Sequence, residues 1–308
     1  DIRPCIRCWR CIEDTDTPNT CSVNPRLGKE GEYRIEPVKD SRKVFVVGSG
    51  PAGMEAALVA AERKHKVTLY EKSDKLGGNL HIASAAIYKD DIANLRDYYV
   101  RQVEKVNIQV RLNEEVGLQT IMEENPDTVI LATGASPIIP AIPGIIRPNV
   151  ITGVDVLLGR KETGDNMVVV GGGMVGCEVA EILAKKGKKV ILLEMLDHVA
   201  IDVARGSRFD LLRRLREAKI QIEVKVEVSR ISEYGVWGRR IGYQGFGGDE
   251  VFFEADTVVI AMGMQSNKDL ARKLEGKVAK FYNVGDSARP QKIKEAILDG
   301  FIAALQCI

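Results

Sequence analysis

Residues 43–53 read KVFVVGSGPAG, and the fold follows from this stretch. Lys43–Val47 is a short, apolar, β-branched run of the kind that forms a buried parallel strand. It leads directly into Gly48-Ser49-Gly50-Pro51-Ala52-Gly53, and Met54–Ala61 then has helical composition. A second short strand, Val67–Tyr70, ends at Glu71. Strand, GxGxxG, helix, strand and acid in that order make a dinucleotide-binding unit. Gly48 permits the tight turn, Gly50 lets backbone approach a pyrophosphate, and Gly53 allows close helix–strand packing. The helix N-terminus faces the phosphates with partial positive charge. Glu71 is placed to accept the hydrogen bonds of a ribose.

The same unit recurs 123 positions later. Met167–Val170 leads to Gly171-Gly172-Gly173-Met174-Val175-Gly176, a helix follows, and Val190–Leu193 ends at Glu194. In both copies the acid lies 23 residues after the first glycine. The register extends to Glu55 against Glu178, and Leu131-Ala132-Thr133-Gly134 echoes Ile260-Ala261-Met262-Gly263. One GxGxxG is weak evidence; two in register, each with strand, helix and acid, are strong. The expected fold is α/β with two Rossmann-like domains.

Composition sets the bounds. The chain has 308 residues, 44 Lys+Arg against 43 Asp+Glu, and 45% apolar residues. That length suits about two domains, and the apolar content supports real cores. Near-cancelling charge argues against binding nucleic acid through bulk positive potential. No window approaches a membrane span and no signal peptide opens the chain, so a cytoplasmic protein is expected.

Four of the six cysteines fall within the first 21 residues, at Cys5, Cys8, Cys11 and Cys21. The loop that carries the first three is too charged to be core. A pair of disulfides belongs to small secreted scaffolds. Four-cysteine zinc sites usually pair their ligands as two short hooks. Three close thiolates with a remote fourth suit an iron–sulfur cluster better. Arg3, Arg7 and Arg10 lie among these cysteines, either favouring thiolate by their charge or simply solvated.

Further along, Tyr282-Asn283-Val284-Gly285-Asp286 reads as a strand ending in Gly-Asp, followed by a helix over Ile293–Ala304. GSGPAG, ATG, GGGMVG and YNVGD together resemble the two-dinucleotide-domain flavoprotein reductases. That resemblance implies FAD in the first domain, NAD(P)H in the second, and Gly285 and Asp286 beside the flavin's ribityl chain and pyrophosphate. It adds Lys72, Gly78, Asn79 and Leu80 to the flavin set, and Glu178 and Met195 to the nicotinamide set. The NAD domain is then inserted in the FAD domain. The expected division is a cysteine-rich segment at 1–40, the FAD domain at 41–148 plus 276–308, and the NAD(P)H domain at 149–275. Proline-rich 133–148 and polar 265–277 would carry the crossings.

RPCIRCWRC…CSVNPRLGKE, LGGNL and DIANLRDYYVRQVEK narrow the resemblance. They are similar to the C-terminal half of the Old Yellow Enzyme-related iron–sulfur flavoenzymes, the 2,4-dienoyl-CoA reductase, 2-enoate reductase and trimethylamine dehydrogenase group. This implies a 4Fe-4S cluster on Cys5, Cys8, Cys11 and Cys21, with spacings shorter than the group's C-x2-C-x3-C-x11-C. It also implies a partner: an FMN-binding barrel, absent from this sequence, or a separate redox protein. Electrons would pass from NADH to FAD, then singly through the cluster to that acceptor. The small subunit of glutamate synthase is the alternative resemblance, and a non-catalytic adenine-nucleotide scaffold the alternative class. A homo-oligomer is compatible with the sequence.

No Arg lies between Glu194 and Arg205, which favours NADH over NADPH. Cys177 lacks a C-x2-C or C-x4-C partner and reads as helix packing. His65, within Arg63-Lys64-His65-Lys66, reads as solvated, His81 as a surface-loop residue or else a neighbour of the flavin, and Arg213-Arg214 as a solvated face or docking surface. Glu181 is expected either near the nicotinamide ribose or in an ion pair with Lys185.

Overall fold

The computed structural model describes residues 1–13, 20–242, 248–278 and 280–307. The chain divides into two compact units. Unit 1 is Asp1–Ser84, Tyr88–Ser136 and Gln265–Ile308; unit 2 is Ala85–Ile87 and Pro137–Met264.

The cysteine-bearing leader has little regular structure beyond the short helix α1 (Arg10–Glu13). Regular structure begins with β1 (Lys43–Val47), where Val44–Val47 are buried. Then come α2 (Pro51–Glu62), β2 (Lys66–Tyr70), α3 (Leu80–Ser84), α4 (Asp90–Lys105), β3 (Ile108–Arg111), α5 (Leu118–Glu124), β4 (Thr128–Leu131) and β5 (Ala135–Pro137).

Unit 2 contributes β6 (Val150–Thr152), α6 (Gly153–Leu157), β7 (Asn166–Val170), α7 (Met174–Lys185), β8 (Lys189–Leu193), α8 (Arg205–Glu217) and β9 (Gln221–Glu223). The strands β10 (Val226–Ser232), β11 (Gly235–Arg240) and β12 (Glu250–Glu254) follow, then β13 (Thr257–Ile260). The chain returns through β14 (Met264–Ser266), α9 (Asp269–Leu274), β15 (Phe281–Asn283), a 3-10 turn at Gly285–Ser287 and α10 (Ile293–Leu305).

Each unit holds a five-stranded parallel sheet. The orders are β15-β4-β1-β2-β3 and β6-β13-β7-β8-β9. Both place the glycine-bearing strand at the centre, and the connections reverse direction beside it, as at a Rossmann switch point. The registers match: Val44–Val47 pair with Val67–Tyr70, and Met167–Val170 pair with Val190–Leu193.

The copies differ in two places. Between the third and fourth strands unit 1 uses helix α5, and unit 2 an antiparallel meander of β10, β11 and β12. The outermost strand beside β4 is β15, from the returning chain, and the one beside β13 is β6, from ahead of the motif. The meander was not foreseen, because its strands mix buried and exposed positions and carry no long apolar run.

Contact boundaries fall at Ser136/Pro137 and Met264/Gln265, earlier in both cases than 148 and 275. The polar stretch 265–277 is not a plain linker, since it forms α9 and buries Leu274 completely in unit 1. Residues 1–40 likewise cluster with unit 1. The crossing strands β5 and β14 pair with each other as a two-stranded ribbon.

Helix α10 packs directly on α2. A Cβ on Gly300 would collide with the carbonyl of Ala52, so only glycine lets the two backbones approach this closely. That contact carries Gly285 to the start of α2, where a Cβ would stand 2.9 Å from the Cβ of Ala52. Among the described residues no helix is long and apolar enough to cross a membrane.

Candidate functional site: two carboxylate-backed glycine turns

In unit 1 the chain leaves β1 through Gly48, whose φ is +102°. A Cβ there would run into the carbonyl oxygen of Ala132, which explains the glycine sterically. Gly171 repeats this with φ +107° against Ala261. Cβ atoms on Gly53 and Gly176 would strike the carbonyls of Gly48 and Gly171. Helices α2 and α7 therefore start tight against the glycine turns. Neither has a side-chain cap hydrogen bond from its N-cap residue, Gly50 or Gly173. Nothing lies within 4 Å of where a Cβ on Gly50 would stand. Open space before the N-terminus of a 12-residue helix is the cradle a pyrophosphate requires.

The remaining residues expected at the flavin site converge on this turn. The N–H of Gly77 donates to Ser49 O at 3.0 Å, and Gly78 abuts the Cα of Gly50. Leu80 is buried beneath. Burial pushes the Asp286 carboxyl above its usual range, with the Gln291 N–H and the Asn79 side chain hydrogen-bonding to it in opposition. Asn283, Gly285 and Asp286 are held by a local network: Gly285 N–H donates to Asp299 at 3.1 Å, and Ser287 Oγ donates to Leu131 O at 3.0 Å. Thr133 and Gly134 are tied to Asn267, whose N–H donates to Gly134 O at 3.0 Å. Lys72 is exposed, and Pro51 occupies the first turn of α2.

The two acids show where the copies part. Glu71 accepts from Ser49 N (2.9 Å) and Ser49 Oγ (2.6 Å) on one oxygen. Its other oxygen accepts from Ser73 N (2.9 Å) and Ser73 Oγ (2.8 Å). Burial would raise its pKa, but the hydrogen bonds from Ser49 and Ser73 outweigh that and hold it below 4.5. Glu194 has the matching backbone pair only: Gly172 N at 2.6 Å and Leu196 N at 2.8 Å. The serines that add hydroxyl donors at Glu71 are replaced by Gly172 and Leu196 in the second copy. In unit 2 the first N–H of α7, at Met174, donates to Asp202 at 2.9 Å. Ala200 N donates to Gly172 O at 2.7 Å, as Gly77 does to Ser49. Val175 and Met195 are exposed, Glu178 is half-buried on α7, and Gly263 has φ +95°. Ser49, Ser73 and Asp202 were missed from sequence; only the hydroxyl inside GSG offered a signal.

The leader's cysteines are all free. Cys5 and Cys11 are exposed, Cys8 and Cys21 half-buried. Arg7 N–H donates to Cys5 Sγ at 3.3 Å, and Cys8 Sγ donates to Ser22 Oγ at 3.1 Å. Arg7 and Trp9 adopt left-handed backbone, turning the chain between the thiols. Such donors and turns suit thiolate ligation, yet among the described residues no three or more His, Cys, Asp or Glu side chains are gathered to hold a metal.

Several single-residue expectations are corrected. His65 is not solvated but 5% exposed: Nδ1 accepts from Arg42 N, so Nε2 carries the proton donated to Cys307 O. His81 lies on α3, half-buried, with its ring against Leu76 O and Arg96. Arg214 is not on a solvated face, since it pairs with buried Glu181 at 2.9 Å. Glu181 also pairs with Lys185 at 3.2 Å, the structural alternative foreseen for it. Cys177 is fully buried, and burial pushes its thiol up to about 12. Helix packing accounts for it.

Two parallel sheets, each with its glycine turn and acid, define a dinucleotide-binding flavoprotein. Residues 42–292 match the pyridine nucleotide-disulphide oxidoreductase family, and the chain belongs to it. Binding of FAD and NAD(P)H follows from that membership. The chain is 39% identical over 316 residues to an NADH oxidase of Thermoanaerobacter brockii, covering 99% of this chain and 48% of that protein. It is 34% identical over 309 residues to a cinnamate reductase of Clostridium sporogenes, covering 98% and 45%. A solved 2-naphthoyl-CoA reductase complexed with 2-naphthoyl-CoA superposes with TM-score 0.87 at 36% identity, over 93% of this chain and 43% of that one. The chain spans about half the length of the curated relatives it matches. These similarities bear out the resemblance read from the motifs and the assignment to NAD(P)H-dependent flavoprotein oxidoreductases.

Proposed function

We propose that the chain is the electron-input half of an iron–sulfur flavoprotein reductase. It takes hydride from NADH to FAD and passes single electrons through a 4Fe-4S cluster to an FMN-bearing barrel or another redox partner. The observation that carries the reading is the duplicated site, in which each acid accepts one backbone N–H from its own glycine turn, Ser49 or Gly172, and a second from two residues beyond itself, Ser73 or Leu196. Such a pair suits one nucleotide that stays and one that exchanges.

In unit 1, Gly50 and the N-terminus of α2 would hold the FAD pyrophosphate, Glu71 its ribose, and Gly285 and Asp286 its ribityl end. In unit 2, Gly172, Gly173 and Glu194 would hold NADH, and Glu194 with no following arginine favours the ribose 2′-hydroxyl over a phosphate. Cys5, Cys8, Cys11 and Cys21 would hold the cluster, which when bound supplies one-electron steps to a two-electron flavin. A cytoplasmic setting suits such a module. Relatives named for cinnamate and 2-naphthoyl-CoA reduction point to an activated C=C bond as the final acceptor.

Anaerobic addition of NADH to FAD-loaded protein tests the first step. Flavin absorbance near ~450 nm is expected to bleach, since the hydride ends on the flavin. FAD-replete protein that fails to bleach is a nucleotide-binding scaffold instead. Iron and labile-sulfide analysis tests the cluster separately.

A further inference from the structure

We propose that Arg3 is a positioning residue that couples the cysteine-bearing leader to the helix opening at the candidate flavin site, so that order in either one depends on the other. The inference concerns unit 1 alone and holds whatever the four thiols carry.

Four residues meet at this guanidinium: Glu55, Val23, Tyr98 and Tyr99. Nη2 lies 3.0 Å from Glu55 Oε2 and Nη1 3.3 Å from Glu55 Oε1. Nη1 also donates to Val23 O at 2.6 Å. The group sits over the rings of Tyr98 and Tyr99, at 5.6 and 5.3 Å from their centroids. Tyr99 OH completes the network by donating to Glu55 Oε2 at 2.8 Å. Glu55 is 2% exposed and Tyr99 fully buried.

Each partner belongs to a different part of the machinery. Arg3 is two residues before Cys5, and Val23 is two residues after Cys21. Both ends of the cysteine loop are therefore tied to one side chain. Glu55 lies on α2 two residues after Gly53, within the first turns of the helix whose N-terminus meets the phosphates. A cavity of about 550 Å³ lies at this junction, lined among others by Arg3, Cys5, Cys21, Arg26 and Glu55.

Two neighbouring arginines repeat the pattern more weakly. Arg7 pairs with Asp91 on α4 at 2.6 Å, and Arg10 with Glu295 on α10 at 3.6 Å. Arg7 is exposed and Arg10 only half-buried, and such pairs contribute little in water. Arg3 is different because its partner is out of water: without it, Glu55 is a buried carboxylate supported by one phenol. Lysine is a poor replacement, since its single ammonium cannot span a carboxylate and a carbonyl while lying flat on two rings.

Coupling of this kind is reciprocal. FAD, by ordering the start of α2, should hold the leader in place, and a docked leader should strengthen FAD binding by the same factor.

The test uses the full chain, metal-free and reduced, titrated with FAD. Modification of each cysteine by a thiol reagent is followed by mass spectrometry, and FAD affinity by quenching of its fluorescence. Saturating FAD is expected to slow modification of Cys5, Cys8, Cys11 and Cys21 about fivefold or more. In Arg3→Met the four thiols should react at one rate with or without FAD, and FAD affinity should fall by a similar factor. Arg3→Lys should recover only part of either effect. Should Arg3→Met fail to fold, Arg3→Met with Glu55→Leu removes the stranded carboxylate, and its leader should remain insensitive to FAD. Wild-type thiols indifferent to bound FAD, or an Arg3→Met chain that keeps the full FAD effect, would overturn the proposal. A chain that binds no FAD fails the family reading instead, and the quenching arm shows this directly.

Discussion

Ser49 is one hydroxyl, yet it separates the two nucleotide sites. With its backbone N–H it fills one oxygen of Glu71, and Ser73 fills the other in the same way. Glu194 has no hydroxyl partner. Because the folded pKa of Glu71 is depressed below 4.5, its contribution to stability is fully present above 4.5 and disappears as pH falls through the folded value. A hydrogen bond to a charged group contributes about 2 kcal/mol. Ser49→Ala should lower stability by roughly that much at pH 7. The wild-type and variant curves should then converge as the pH falls below 4.5. Urea unfolding at stepped pH reads this directly; parallel curves down to pH 3 would assign the effect to packing.

At the level of elements, the close approach of α10 to α2 through Gly300 brings Gly285 and Asp286 to the glycine turn. Gly300→Val would drive a side chain into the backbone of Ala52 and force the helices apart, at a cost of about 3 kcal/mol. FAD should bind more weakly, by fluorescence quenching, while NADH binding to unit 2 should hold. The elements that carry the site were legible from sequence because their signals are local. β1, α2, β2 and their second-copy counterparts each need only a β-branched run, a glycine spacing and an acid. Contacts that join distant segments left no local trace. Arg3 and Glu55 are 52 residues apart, so nothing near Arg3 announced a buried partner. His65 sits among Arg63, Lys64 and Lys66, which read as solvent-facing, and is covered by the Cys307 end of the chain. The first expected boundary followed the prolines and the second the polar stretch 265–277, whereas the contacts place the first before Pro137 and keep α9, a short helix of mixed composition, in unit 1.

For the whole molecule, the interleaving of the two units has a consequence for biosynthesis. Apart from Ala85–Ile87, unit 2 is one continuous stretch, Pro137–Met264, whereas unit 1 lacks β15 and α10 until Gln265–Ile308 has been made. Strand β15 pairs with β4, joining Phe281 to Val129 across a long loop, and such closure is slow. Domains fold as units while the chain emerges. Unit 2 should therefore be native on the ribosome while unit 1 is still an open sheet with β4 exposed as an edge. Nascent chains cut after residue 270 and tethered by a linker long enough to carry that residue out of the ribosomal tunnel should show a protease-resistant unit 2 and a cleavable unit 1. The glycine turn of unit 1 would then be completed after that of unit 2, once β15 and α10 have joined β4 and α2, and flavin would find its cradle only after that closure.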